Sequence, residues 1–294
     1  PELVHDQWAQ TRNIPKNGGK TIEFRKYDQL PKAMTPLTEG VTPTGKAMNV
    51  TKIEATVKQY GDFIELSDLL ILTAIDNNIV EATTLIGSQA GRTLDTISRE
   101  VLAAGTNVQY AEGQVTSRAA LTSEMKLTVK AVKKAVRFLK KQNAKKINGY
   151  YYGIVHPDCS YDLTEDERWI DAVKYKNPER IYNGEIGEIE GARFIETTEA
   201  KIWAKAGAAK NTSDATKIDV YATLIFGANA YATTKIEGGG LQTIIKQLGS
   251  AGTGDPLDQR ATVGWKALKV TEILTEAYMI RIETASTFSD GEAN

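Results

Sequence analysis

Apolar and polar positions alternate from Thr21 to Tyr27, with Ile22, Phe24 and Lys26 on one side and Thr21, Glu23, Arg25 and Tyr27 on the other. A period of two is that of a half-buried strand. A second alternating run extends from Val50 to Leu66, with Ile53, Ala55 and Val57 on one face. Threonines and β-branched residues fill it, as a pleated surface favours. Between the two runs, Pro31, Pro36, Gly40, Pro43 and Gly45 interrupt any regular pattern. The pair therefore predicts a long, extended hairpin. A two-stranded hairpin is barely stable alone in water, so its strands need a neighbour to lie on. The stretch Pro1 to Lys20 carries neither period and is expected to be an arm that orders against something else.

A different period follows. Ser67 and Asp68 suit a helix start, and Leu69, Leu72, Ile75, Ile79, Ala82, Ile86, Ala90, Leu94, Ile97 and Val101 keep three- and four-residue spacing up to a stop at Gly105. Unbroken from Asp68 to Ala104, this helix would be about 55 Å long at 1.5 Å per residue. Gly87 and Gly91 would kink it or admit a close neighbour. A second helix is predicted from Ser123 to Gln142, with Leu127, Ala131, Ala135, Phe138 and Leu139 as its buried stripe. "NGYYYGIVHP" reads as a turn and a buried strand, and Asp158 to Thr164 as a helix. "GEIEGARFIETTEA" and "DVYATLIFGANAYATTKIE" read as strands. A surface loop is expected from Gly207 to Thr216, and further strands from Leu241 onward, broken by "GSAGTGDP".

The chain has 294 residues, enough for one large domain or two modest ones. A fold of that size hides enough surface to dispense with disulfides. Cys159 is the only cysteine, which excludes an intrachain disulfide and fits a reducing cytoplasm. No run approaches the roughly 20 apolar residues that span a bilayer, and no h-region of a secretory signal is found near Pro1. No membrane partner is expected. Pro1 in place of Met leaves initiator removal and leader cleavage equally open. A net charge of -1 argues against nucleic-acid binding by the chain as a whole.

Candidate chemistry is thin. "GVTPTGKA" at Gly40 to Ala47 nears a phosphate-binding loop, but Ala47 stands where a Ser or Thr should hold magnesium, and a strand follows it instead of a helix. "EGGGLQTIIKQLGSAGTG" is glycine-rich without a nucleotide fingerprint and is expected to be a mobile loop. His5 and His156 are the only histidines, and Cys159 follows His156 by three, a pair that could touch a metal or act as nucleophile and base. A turn residue and a buried thiol are the favoured roles. Glu165, Asp166, Glu167 and Asp171 offer paired carboxylates without a hydrolase framework around them. Lys126, Lys130, Lys133, Lys134, Arg137, Lys140, Lys141, Lys145 and Lys146 form the main charge feature. They could meet phosphates, an acidic patch of Glu185, Glu188, Glu190, Glu196 and Glu199 on another copy, or solvent. No aromatics interleave with them, which disfavours single-strand binding. Catalytic, cofactor-binding and metal-ligating residues are expected to be absent, and the protein is not expected to be an enzyme.

The order of parts, an arm, a long hairpin, a long helix, a mixed α/β block and a strand-rich return, resembles the coat proteins of tailed phages with the Hong Kong 97-type fold. "TIEFRKYDQLPKAMTPLTEGVTP" (21–43), "TVKQYGDFIELSDLL" (56–70) and "DPLDQRATVGWKA" (255–267) look like the phage N-four-type major capsid family. Asp255, Pro256, Gln259, Arg260, Gly264 and Trp265 are the most telling group and are taken as structural signature residues.

The resemblance implies an α+β fold. Its parts would be an N-terminal arm (1–20), an extended β-hairpin E-loop (21–66), a peripheral P domain with a spine helix (67–118), a mixed α/β A domain (119–235) and return strands mainly of the P domain (236–294). It implies a structural protein that self-assembles into an icosahedral shell enclosing double-stranded DNA, located in the virion capsid and, during assembly, in the host cytoplasm. Implied partners are copies of itself as pentamers and hexamers, a portal, possible scaffold or decoration proteins, and DNA bound non-specifically. Arg25, Lys26, Tyr27, Lys32, Glu39, Lys46, Lys52 and Lys58 are the candidate intersubunit contacts. Lys130, Lys133, Lys134, Arg137, Lys140 and Lys141 are the candidate basic face. Some relatives crosslink a hairpin lysine to a neighbour's asparagine. Lys46 sits near the tip, but no matching motif accompanies it and the chemistry is not carried over. The alternatives are a nanocompartment shell enclosing an enzyme cargo, a nucleotide-binding enzyme using Gly40 to Lys46, and a nucleic-acid-binding module using the basic helix.

Overall fold

The computed structural model describes residues 3–27, 30–73, 77–170, 187–210, 215–237, 239–289 and 291–294. In chain order its strands and helices are β1 (Gln10–Ile14), β2 (Thr21–Tyr27), β3 (Val50–Thr56), β4 (Lys58–Ser67), α1 (Asp68–Thr73), α2 (Asn78–Ala103) and β5 (Val108–Tyr110). There follow α3 (Val129–Lys141), β6 (Tyr151–Val155), α4 (Pro157–Thr164), β7 (Glu188–Ile189), β8 (Ala192–Glu196), β9 (Ile202–Trp203) and β10 (Val220–Phe226). The last are β11 (Tyr231–Ile236), β12 (Gln242–Lys246), β13 (Arg260–Lys269), β14 (Thr271–Ile273) and β15 (Met279–Thr284).

The central sheet runs β5-β15-β10-β6-β8-β7, with β9 also on β10. Strands β6, β10 and β15 are buried along their whole length, because both faces of the sheet are covered. On one face lie Val132, Val136 and Leu139 of α3, against Ile225, Ile280 and Ile282. On the other, Tyr152, Leu224 and Phe226 meet Leu102 of α2 and Val4. Helix α3 begins where the Thr128 side chain accepts a hydrogen bond from the Ala131 amide at 3.2 Å. It is shorter than the expected 123–142 because the residues before Thr128 adopt no helix.

A second sheet, β12-β13-β4, packs Ala261, Val263 and Trp265 against Ala82, Ile86 and Ala90 of α2. The long helix expected from Asp68 to Ala104 is realised as α1 and α2, and the residues between include 74–76, outside the described set. At 1.5 Å per residue, the 26 residues of α2 span about 39 Å. A Cβ on Gly91 would lie 2.8 Å from Leu3 Cδ1, so this glycine admits the N-terminal segment, whereas Gly87 faces open space.

Two expectations are corrected. The first is the arm. Strand β1 pairs in parallel with β11, Val4 and His5 are fully buried, and the segment is ordered against the chain's own body. The His5 amide donates to Asp95 Oδ1 (3.0 Å), its Nδ1 lies 2.6 Å from Asp95 Oδ2, and Tyr231 Oη donates to its carbonyl at 2.6 Å. Asp6 accepts from Ser98 Oγ at 2.7 Å and pairs with Lys269. Backbone pairing, polar contacts and scattered apolar anchors such as Val4 and Trp8 hold this segment, so it needs no regular hydrophobic period.

The second is the run Val50–Leu66. It changes partner at Val57, whose amide donates to the Lys20 carbonyl at 2.9 Å. Before it, β3 pairs with β2. After it, β4 pairs with β13 from Lys58↔Lys269 to Ser67↔Arg260. The inward positions pass from odd (Ile53, Ala55) to even (Tyr60, Ile64, Leu66) across Val57, so the change of partner coincides with a one-residue slip in the alternation.

A buried ion triad closes the far edge of the central sheet. Glu283 is fully buried and accepts from Arg118 Nε and Nη2, both at 2.7 Å, and from Arg281 Nε at 2.8 Å. Arg118 also stacks 3.6 Å from the centroid of Trp203. Replacing Glu283 by Ala leaves two cations facing each other without a counter-charge. Glu283→Ala is expected to cost about 3–5 kcal/mol in urea unfolding of the subunit. A loss below about 1 kcal/mol, the range of an exposed pair, would contradict the structural role.

Candidate assembly surface

The β2–β3 ribbon has two unlike faces, as its alternation requires. Ile22, Phe24, Ile53 and Ala55 pack against Ala232, Val270 and Leu274, anchoring the ribbon's foot to the body. The outer face carries Glu23 between two cations, Arg25 Nε at 2.7 Å and Lys52 Nζ at 3.3 Å. The hydrogen bond from Arg25 holds the Glu23 carboxyl below its ordinary range.

Beyond the foot, every residue from 30 to 49 is exposed, and no strand begins before β3. Leu30, Met34, Leu37, Val41 and Met48 lie in this stretch, with Met34 at 81% and Leu37 at 78% of full exposure. The Val41 amide donates to the Thr38 carbonyl at 3.2 Å, closing a turn that Gly40 completes at φ 77°. A φ of that sign is the one glycine tolerates without strain. Apolar side chains held in water along such a stretch mark an interaction surface. Leu69 and Leu72 of α1 are exposed as well, and β12 is exposed throughout with one edge unpaired in its sheet.

The structure distributes the candidate contacts accordingly. Arg25, Tyr27 and Lys52 share the outer face of the ribbon, Lys26 stands on the inner register, and Lys32, Glu39 and Lys46 lie on the exposed connection. Lys58 belongs to β4 in the second sheet, not to the ribbon. The signature group sits where the second sheet meets α2. Buried Asp255 accepts from the Arg260 amide at 2.8 Å, and Arg260 Nη2 donates to the Gly254 carbonyl at 3.0 Å. Trp265 Nε1 donates to Gln89 of α2 at 3.2 Å. A Cβ on Gly264 would come within 2.9 Å of Phe63 Cβ on the neighbouring strand. "GSAGTGDP" is therefore a structured turn at its end, tied by Asp255. Pro256 and Gln259 are exposed beside it, and the Gln259 carbonyl accepts from the Asp68 amide at 3.0 Å, coupling this turn to the start of α1.

The catalytic alternatives do not assemble. Gly40 to Ala47 is followed by β3, so the strand–loop–helix setting of a phosphate loop is missing. His156 caps α4, its Nδ1 accepting from the Asp158 amide at 3.2 Å. Cys159 is fully buried, 3.7 Å from Thr284 Oγ1, and burial pushes its thiol well above the usual range. Asp166 is spent on backbone amides, those of Val129 and Arg168, each at 2.9 Å. Asp171 and Glu185 lie outside the described residues. Among the described residues, no three potential metal ligands cluster, and no helix is long and apolar enough to cross a membrane.

The basic face of α3 is partly used within the chain. Lys130 pairs with Glu112 at 2.5 Å and Lys133 with Glu190 at 3.2 Å, while Lys134 donates to the Glu112 carbonyl. The hydrogen bond from Lys130 lowers the Glu112 carboxyl. Arg137, Lys140 and Lys141 are exposed. The acidic patch is also engaged at home, with Glu196 accepting from Ser160 at 2.9 Å and Glu199 pairing with Arg92 at 2.8 Å.

One feature escaped the linear reading. A cleft of about 430 Å³ opens at the foot of the ribbon, lined by Arg12 of β1, Lys26 of β2, Lys145 beyond α3, and the rings of Phe24, Tyr27 and Tyr278. Its cations come from three distant stretches, so no local spacing could reveal them.

The sequence model of a family described as phage capsid protein matches residues 73–248. No curated protein matches the chain. Among solved structures, the capsid of the cyanophage P-SCSP1u is 15% identical, with a TM-score of 0.69 over 95% of this chain and 87% of that one. The capsid of Ralstonia phage GP4 is 14% identical, with a TM-score of 0.71 over 99% and 90%. The capsid of cyanophage Pam1 is 11% identical, with a TM-score of 0.73 over 97% and 93%. At these identities the likeness establishes a shared fold.

The thiol geometry makes a direct prediction. Cys159 is expected to resist a maleimide or aromatic disulfide reagent in the folded subunit and to react fully in denaturant. Rapid labelling of the native protein would restore Cys159 as a candidate nucleophile.

Proposed function

Because this chain belongs to the phage capsid protein family, we propose that it is the major shell protein of a tailed phage, many copies of which close into an icosahedral shell around double-stranded DNA. The observation that carries this reading is the exposed connection 30–49 with its five solvated large apolar side chains, on a subunit whose fold is that of phage capsids. The Hong Kong 97-type architecture expected from the sequence agrees with that likeness. The matching family is that of phage capsids, which is the reason a shell around a genome is preferred to a nanocompartment around an enzyme.

In this reading, the ribbon from residue 21 reaches a neighbouring copy, and the A domain, 119–235, surrounds the five- and six-fold centres. The spine α2 belongs to the P domain of residues 67–118, to which the strands of 236–294 return. The arm of residues 1–20 is anchored to its own subunit at least from Val4 to Ile14, so it serves as a brace of the body before any contact with a neighbour. Each copy offers its ribbon at one place and receives another's elsewhere. Such a head-to-tail contact closes into rings when the rotation between copies permits it. In this reading the chain's work is structural. Arg137, Lys140 and Lys141 are the residues of the basic face left to meet packaged DNA, non-specifically and with a steep salt dependence. Portal, scaffold and decoration proteins are further partners of this reading, with assembly in the host cytoplasm and residence in the virion.

Removing Pro31 to Met48 takes away exposed chain and no buried contact. The deleted protein is expected to stay soluble and folded by circular dichroism, and to give no closed shells by electron microscopy. Shells of normal size and number from the deleted protein would refute the role given to the ribbon.

A further inference from the structure

We propose that the cleft at the foot of the ribbon is the seat of the Thr38–Val41 turn of a second copy, with Glu39 as the carboxylate its cations receive. The proposal rests on the reading that the ribbon reaches a neighbour, and it names the place it reaches.

The cleft asks for an anion. Arg12, Lys26 and Lys145 line it, and no carboxylate does so among the described residues. Lys26 and Lys145 have no ion-pair partner among the described residues. Arg12 makes only a 3.4 Å hydrogen bond to the Glu23 carbonyl and lies 5.6 Å from the Phe24 ring centroid. Arg25 also borders the cleft but is already paired with Glu23. The like charges of Arg12, Lys26 and Lys145 around one concavity repel one another, and a carboxylate from outside converts that repulsion into attraction. Between the cations, the lining mixes apolar groups (Ile53, Leu274 and the Tyr278 ring) with the polar Gln10, Asn229 and Thr275.

The connection supplies the matching piece. Glu39 is the only acidic residue between Leu30 and Asn49. It stands at a central position of the turn closed by Thr38 and Val41, and the large apolar residues nearest to it, Leu37 and Val41, are 78% and 62% exposed. An acid flanked by apolar side chains thus meets cations set among the apolar groups Phe24, Ile53 and Leu274. No residue from 30 to 49 lines the cleft of its own subunit, so the chain does not satisfy the cleft itself. Turn and cleft occupy opposite ends of the ribbon, which makes the contact head-to-tail, and each copy both gives and receives.

Charge reversal tests the pairing. Glu39→Lys alone, and Lys26→Glu with Lys145→Glu, are each expected to lower the yield of closed shells roughly tenfold, because the lost attraction is repeated at every contact of the shell. Combining all three substitutions restores the pair with its signs exchanged and is expected to recover the yield to within about a factor of two of the parent. A triple variant no better than either parent variant overturns the proposal, as does Glu39→Lys assembling normally. If Glu39→Lys assembles normally while the 31–48 deletion does not, the ribbon's role stands and only this seat falls. If both assemble normally, both readings fall. Loss of packaged DNA with normal shells from the Lys26/Lys145 variant assigns the cleft to nucleic acid and also overturns the proposal. Should reversal impair folding, a chain carrying Glu39→Cys and Lys145→Cys gives a second measurement. With Cys159 buried, oxidised shells are expected to run as a ladder of covalent multimers, and monomer alone would count against the contact.

Discussion

A two-stranded ribbon has too little surface of its own to hide, and that shortage governs how this subunit is built. The foot of the ribbon solves it by laying Ile22, Phe24, Ile53 and Ala55 on the body around Ala232. The rest has no such partner among the described residues, and its large apolar side chains remain in water. Leaving them exposed costs solubility and invites association. In a protein whose role is to associate in a defined geometry, the same exposure becomes the driving force, and the turn at Gly40 limits the ways it can be spent.

Such a projection is useful only if the body beneath it is stiff. The N-terminal segment contributes to that stiffness. Buried His5, Asp95, Ser98 and Lys269, with the half-buried Asp6, form a polar cluster that ties the segment to α2 and to the end of β13, and β1 then pairs with β11 next to the ribbon's foot. Buried polar groups that are nearly all paired specify one arrangement more sharply than apolar packing does. The Arg118–Glu283–Arg281 triad does the same at the opposite edge of the central sheet.

Much of the fold could be read along the chain, because its elements follow the hydrophobic period. The ribbon foot, the apolar stripe of α3, the buried β6 and β10, and the helical register from Ile79 to Val101 all follow from it. Strand β6 was legible as a short apolar run, whereas the equally buried β15 carries Arg281 and Glu283. Three features were not. Strand β1 is held by backbone pairing, which leaves no pattern in side chains. The change of partner at Val57 is a one-residue slip of the alternation, hidden inside what reads as a single strand-like run. The start of α3 at Thr128 depends on a cap and on the Asp166 carboxylate, which comes from a distant loop.

The division between what sequence and structure decide has a physical basis. Periodicity, turn chemistry and the run of exposed apolar residues on the connection are local properties, so the sequence by itself determined the ribbon, the helices and the need for a partner. It also determined the absence of an assembled catalytic motif at Gly40 to Ala47, since the required residue at Ala47 is missing. The convergence of Arg12, Lys26 and Lys145 on one cleft, the spending of Lys130 and Lys133 on Glu112 and Glu190, and the burial of Cys159 are long-range facts. Charge and solvation act through space, and only the folded chain decides which distant side chains share the same few ångströms.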